Sequence, residues 1–198
     1  RERKDTVAAV NQPTDTIPAA SGLRHSRDMR GRTAIAAVMA ASIGLGAISL
    51  TPAELVHAVF LHPAARIAAL YLGLPCVEDP GAGYIIPHPA LRLAVVPECS
   101  GFTFYAILCS FLLFQAFRRF DARRAVPAAI GIVLAALPAA LLANALRLVA
   151  CLYAFIIMPP GTPRAIANTA HLWIGVLVFV PALVLAYYLF ERRFAHDR

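Results

Sequence analysis

Residues 99–117 read CSGFTFYAILCSFLLFQAF. These 19 residues carry no charge, and that is the length an α-helix needs to cross a hydrocarbon core of about 30 Å. Arg118 and Arg119 follow at once, while Glu98, Cys99, Ser100 and Gly101 stand at the entrance. A polar entrance, an apolar run and a basic exit describe a membrane span with reactive groups at one end.

Three further apolar runs lie on either side of it: residues 33–52 (TAIAAVMAASIGLGAISLTP), residues 125–158, and residues 171–190 (HLWIGVLVFVPALVLAYYLF). The whole chain of 198 residues is 60% hydrophobic and 15% charged, where a soluble domain carries roughly 25% charged residues. The expected fold is all-α: an integral membrane helical bundle of about four transmembrane helices plus an outer interfacial amphipathic segment. That segment is residues 54–73, ELVHAVFLHPAARIAALYLG, in which Glu54, His57, His62 and Arg66 punctuate apolar residues and Pro63 interrupts. The alternative is that it crosses as a fifth span, which moves Cys99 to the opposite side. Residues 125–158 as one helix would extend about 51 Å at 1.5 Å per residue, so this span must overshoot the core, kink at Pro127 or Pro138, or fold back.

The net charge of +7 invites a nucleic-acid reading, but its distribution argues against one. Fourteen of the 18 basic residues fall in three segments that flank apolar runs: 1–32, 118–124 and 192–198. That is the positive-inside pattern. With both termini cytoplasmic, all three clusters fall on one face of a plasma (inner) membrane, and no nucleic-acid partner is expected. The organisation that follows is a disordered cytoplasmic tail over 1–30, a membrane domain over 31–192 and a cytoplasmic tail over 193–198. Residues 29–50 read as a retained anchor, since no small-residue cleavage site precedes Thr51. Internal repeats, phosphate loops, dinucleotide fingerprints and metalloprotease motifs are not found. His57 and His62 are five residues apart and off one helical face, so neither a metal nor another cofactor is expected.

The topology brings one reactive side chain from each of three spans to the outer end: Cys99, Arg147 and His171. Each has an ordinary alternative. Cys99 could pack at a helix start, although helix N-termini favour thiolate chemistry. Arg147 could snorkel to headgroups, but a guanidinium within an apolar helix costs about 2.5–3.5 kcal/mol and usually faces a partner. His171 could be a boundary residue beside Trp173, and imidazole is also the usual base for a thiol nucleophile. Asn144, three residues before Arg147, shares its face and could hold it or contact a substrate amide. Ser100 could line the site, and Gly101 leaves room for the close approach of a substrate backbone or another helix. Cys109 and Cys151 lie in apolar stretches and read as small hydrophobes. A Cys76–Cys99 bridge is a further option that would silence Cys99. On these residues alone, a non-enzymatic membrane protein, such as an assembly factor or transporter subunit, stays open beside an enzyme.

The segments ECSG, NALR and HLWIG, in that order and each at the outer end of a span, resemble the three signature segments of the exosortase/archaeosortase family. The approach to the cysteine, PAARIAALYLGLPCVEDPGAGYIIPHPALRLAVVPECSG, further resembles the exosortase K subclass. The resemblance implies a cysteine transpeptidase acting outside the cytoplasm on membrane-tethered proteins with C-terminal sorting signals of the PEP-CTERM type. It implies Cys99 as nucleophile, Arg147 as an essential arginine and His171 as the catalytic histidine.

Overall fold

The computed structural model describes residues 51–80, 83–120, 122–159 and 161–194, with eight positions between 35 and 50. Those eight are all helical, in the stretch where the first span is expected. The amino-terminal tail over 1–30 lies outside the described residues. Of the described residues, 78% are helical. Among the described residues, four helices are long and apolar enough to cross a membrane: Ala53–Leu72, Pro97–Arg119, Arg123–Ile157 and Ala165–Phe194.

Helix α1, Ala53–Leu72, is continuous where the sequence suggested an interruption. Its His57–Leu61 stretch is π-helical. Pro63 is the second residue of the regular helix that follows, at its junction with the π-helical turn. Ala64, Ala65, Ala68 and Ala69 form the buried face, which packs on Ala145, Leu148, Val149 and Leu152. Four alanines let the two helix backbones approach closely, as small residues do in membrane bundles. The segment expected to lie along the interface is thus long and apolar enough to span as well.

Between α1 and the next helix the chain forms a three-stranded antiparallel sheet that the hydropathy reading did not anticipate: β1 (Val77–Asp79), β2 (Gly83–His88) and β3 (Leu91–Val95), in that order. The register pairs Tyr84 with Val95 and Ile86 with Leu93. All four are buried and join the apolar cluster of α1, while Arg92 and Ala94 on the alternate face are exposed. Pro87, which cannot donate to a ladder, lies beyond the stretch that β1 pairs. β3 then runs straight into a 3-10 turn, Pro97–Cys99.

Helix α2 (Phe102–Arg119), α3 (Ala122–Ile157) and α4 (Arg164–Phe194) complete the bundle. The 36 residues of α3 form one helix, about 54 Å long; it overshoots rather than folding back, with Pro127 and Pro138 inside it. Aromatic pairs align α2 with α4 in the same direction: Phe104 stacks on Phe179, while Phe111 meets Tyr187 and Phe120 meets Phe194 edge-on. Arg119 binds Glu191 at 3.1 Å at the far end. That end gathers Arg118, Arg119, Arg123, Arg124, Arg192 and Arg193. A side chain added at Gly44 would collide with Ser110 of α2, so the helical position at Gly44 meets α2 through a bare backbone.

Candidate active site

Cys99 closes the 3-10 turn, its N–H donating to Val96 at 2.8 Å. The next residues reverse the chain sharply into α2. Ser100 N–H donates to Pro97 at 3.0 Å, and Gly101 takes φ 77°, the left-handed region where a side chain is strained. Gly101 has a second reason to be glycine. A Cβ there would sit 2.7 Å from Cβ and Cγ of Asn144. The turn that carries the thiol is therefore pressed against the middle of α3.

Asn144 locks that contact. Fully buried at 0% exposure, it donates from Nδ2 to the Cys99 carbonyl at 2.7 Å and accepts on Oδ1 from Arg147 Nη1 at 3.4 Å. Both ends of its amide are engaged within the protein. The Ser100 hydroxyl accepts from Phe102 N–H at 3.4 Å and so serves the start of α2.

Arg147 is 8% exposed. Its side chain is held on several sides: Nη1 by Asn144, Nη2 by His171 Nε2, and the guanidinium carbon 5.5 Å from the centre of the Phe179 ring. Gly175, one turn beyond His171 on α4, presents no side chain beside Arg147 Nε; a Cβ there would lie at 3.4 Å. Nε itself is buried without a hydrogen-bond partner among the described residues. A cation–π contact of this kind is worth roughly 0.5–2 kcal/mol and offsets part of the insertion cost of the charge.

His171 completes the cluster. Its Nε2 lies 4.0 Å from Cys99 Sγ, and its Nδ1 lies 3.4 Å from Cys151 Sγ. The three residues singled out by topology thus meet, with Asn144 between two of them. Ser100 and Gly101 flank the thiol, but their described contacts are to the protein itself. The hydropathy reading missed Cys151, taken for a packing residue, and Phe179, whose only sequence signal is its place two turns after His171. Gly175 was visible as the last residue of HLWIG.

Other candidates resolve into packing. His57 and His62 both stack on Tyr84, with ring centres at 5.2 Å in each case. Cys109 lies in the apolar cluster of α2, α3 and α4. All four cysteines are free thiols, so the Cys76–Cys99 bridge is not formed. Burial pushes the Cys76 thiol up, with Arg66 pulling weakly the other way. Among the described residues, no group of three or more His, Cys, Asp or Glu could hold a metal.

A thiol, an imidazole and a guanidinium gathered in one largely buried cluster can generate a nucleophile and stabilise an oxyanion. No curated protein and no solved structure matches the chain. Residues 29–188 match the family described as Transmembrane exosortase, a span that takes in the cysteine turn, the Asn144–Arg147 segment and the His171 helix. The chain belongs to the transmembrane exosortase family, which is known for cysteine transpeptidase activity in membrane protein sorting.

Proposed function

We propose that this protein is a membrane cysteine transpeptidase that cuts C-terminal sorting signals of the PEP-CTERM type from secreted proteins and transfers the product. It works at the extracytoplasmic face of the plasma (inner) membrane. The observation that carries this reading is the meeting of Cys99, Arg147 and His171, borne by three separate segments, in one cluster with Cys99 and Arg147 buried and His171 half-buried.

The chemistry follows from the contacts. His171 Nε2 accepts the proton of Cys99 as the sulfur attacks the scissile carbonyl. The 4.0 Å separation is loose, as such pairs commonly are before substrate binds. Arg147 Nη2 contacts the same Nε2. An arriving carbonyl oxygen draws that guanidinium toward itself and leaves Nε2 free for the thiol proton. Arg147 then holds the oxyanion, where one good donor contributes about 2.7–4 kcal/mol. Collapse of the tetrahedral intermediate breaks the C–N bond, and His171 returns the proton to the departing amine. The thioester left on Cys99 is resolved by an amine, giving transfer, or by water, giving hydrolysis. Ser100, Gly101 and Asn144 shape the turn on which the substrate backbone lies.

The extracytoplasmic assignment rests on the arginines at the end opposite the site, and the subclass reading rests on residues 63–101. The test is co-expression with a reporter ending in a Pro-Glu-Pro motif, an apolar span and a basic tail. Cys99→Ala, His171→Ala and Arg147→Lys should each insert normally and leave the reporter uncut. Arg147→Lys is expected to fail because an ammonium cannot engage Asn144, the oxyanion and the Phe179 face together. Normal processing by all three variants overturns the assignment. A membrane-impermeant maleimide should label Cys99 in intact cells. Labelling only after the membrane is opened would place the site on the cytoplasmic face.

A further inference from the structure

We propose that Cys151 is a positioning residue for His171, holding the imidazole in the tautomer and orientation in which it serves Cys99. This rests on the reading of Cys99 and His171 as nucleophile and base. The argument starts from the donor inventory. A guanidinium carries donors and no acceptor. Arg147 Nη2 contacts His171 Nε2, so the neutral imidazole must present a lone pair at Nε2 and its proton at Nδ1. Among the described residues, the group within hydrogen-bonding distance of Nδ1 is Cys151 Sγ, at 3.4 Å, an ordinary separation for N–H donating to sulfur. Cys151 is 1% exposed, which leaves the thiol with little access to water.

The placement follows from helix geometry. Arg147 and Cys151 are four residues apart on α3, one turn and one face. Together they grip the ring at both nitrogens: Arg147 at Nε2, Cys151 at Nδ1. The groups facing the imidazole are these two from α3 and Cys99 from the turn ahead of α2, with the Glu98 carboxylate next along the chain. When the ring accepts the proton of Cys99, the Nδ1–H donation to Cys151 persists, so the ring need not reorient between its two proton transfers. For a metal-binding histidine, losing the group that fixes its second nitrogen typically costs 10–100-fold, and the same orienting role applies to a catalytic imidazole. Sulfur is a weak acceptor, so the low end applies.

The experiment measures alkylation of Cys99 by iodoacetamide against pH on the full chain in detergent micelles, with each cysteine resolved by peptide mass spectrometry. Cys151→Ala should slow Cys99 alkylation at neutral pH about 10-fold and move its pH profile toward that of His171→Ala. Cys151→Ser, which keeps lone pairs, should recover most of the rate, and Cys109→Ala should match the parent. If the alanine variant does not fold, Cys151→Val, which removes the lone pairs and keeps the volume, should give the same slow profile. A parental profile in Cys151→Ala or Cys151→Val, with His171→Ala still altered, overturns the positioning role and leaves the Cys99–His171 pair standing. A parental profile in His171→Ala overturns both.

Discussion

Asn144 Nδ2 donates to the backbone carbonyl of Cys99 at 2.7 Å, across 45 positions of sequence. The bond ties the centre of α3 to the turn that carries the thiol, and Asn144 passes the constraint on through Oδ1 to Arg147. One buried amide thereby sets the relative positions of two of the three reactive groups. Asn144→Ala should leave the Cys99 carbonyl without this donor and Arg147 Nη1 without this acceptor. The expected loss is about 1–3 kcal/mol, read as a lower unfolding temperature in micelles. Processing should fall further than stability does, because the thiol and the guanidinium lose their register.

The same contact makes a sharp comparison between glycines. Gly101→Ala introduces a side chain at φ 77° and only 2.7 Å from Asn144. It should destabilise the bundle by about 1–3 kcal/mol and abolish reporter cleavage. Gly131→Ala, in the interior of α3 with open space around it, should be neutral or stabilising by up to about 1 kcal/mol. Thermal unfolding of the two variants side by side, with cleavage of the reporter, checks both directions.

Phe179 stacks on Phe104 at 4.3 Å and supports the Arg147 guanidinium at 5.5 Å. Phe179→Leu should weaken the hold on the charge by about 0.5–2 kcal/mol and reduce processing several-fold. Phe111→Leu breaks a comparable aromatic contact with Tyr187, away from the site. It should lower stability to a similar extent while leaving processing near the parental level. Equal processing in the two variants would show that the ring does not steady the arginine.

The parts of this architecture that were legible in the sequence are those where burial carries a large penalty. Arg147 stood out because a charge in an apolar helix needs a partner. Cys99 and His171 stood out because the arginine clusters at the opposite ends of their helices placed them together. Contacts across helices left weaker traces. Cys151 is an ordinary small residue in an apolar stretch until His171 is set against it, and Phe179 is one aromatic among many. The sheet escaped notice because its strands hold three to six residues, and Pro87 sits inside one of them. Its alternation of Tyr84 and Ile86 with Leu93 and Val95 becomes a signal once α1 and α3 supply the face to be covered. Pro63 read as an interruption because a π-helical stretch ahead of it has no composition of its own.

The account turns on covalent chemistry at one sulfur, and the most direct test is to find the intermediate. Enzyme recovered after co-expression with the sorting-signal reporter, digested and analysed by mass spectrometry, should carry the reporter's acyl fragment on the peptide containing Cys99. Hydroxylamine should remove that adduct as a thioester, and the adduct should be absent from Cys99→Ala. Reporter cleavage that continues in Cys99→Ala, with no adduct on Cys99 in the parent, would contradict the account.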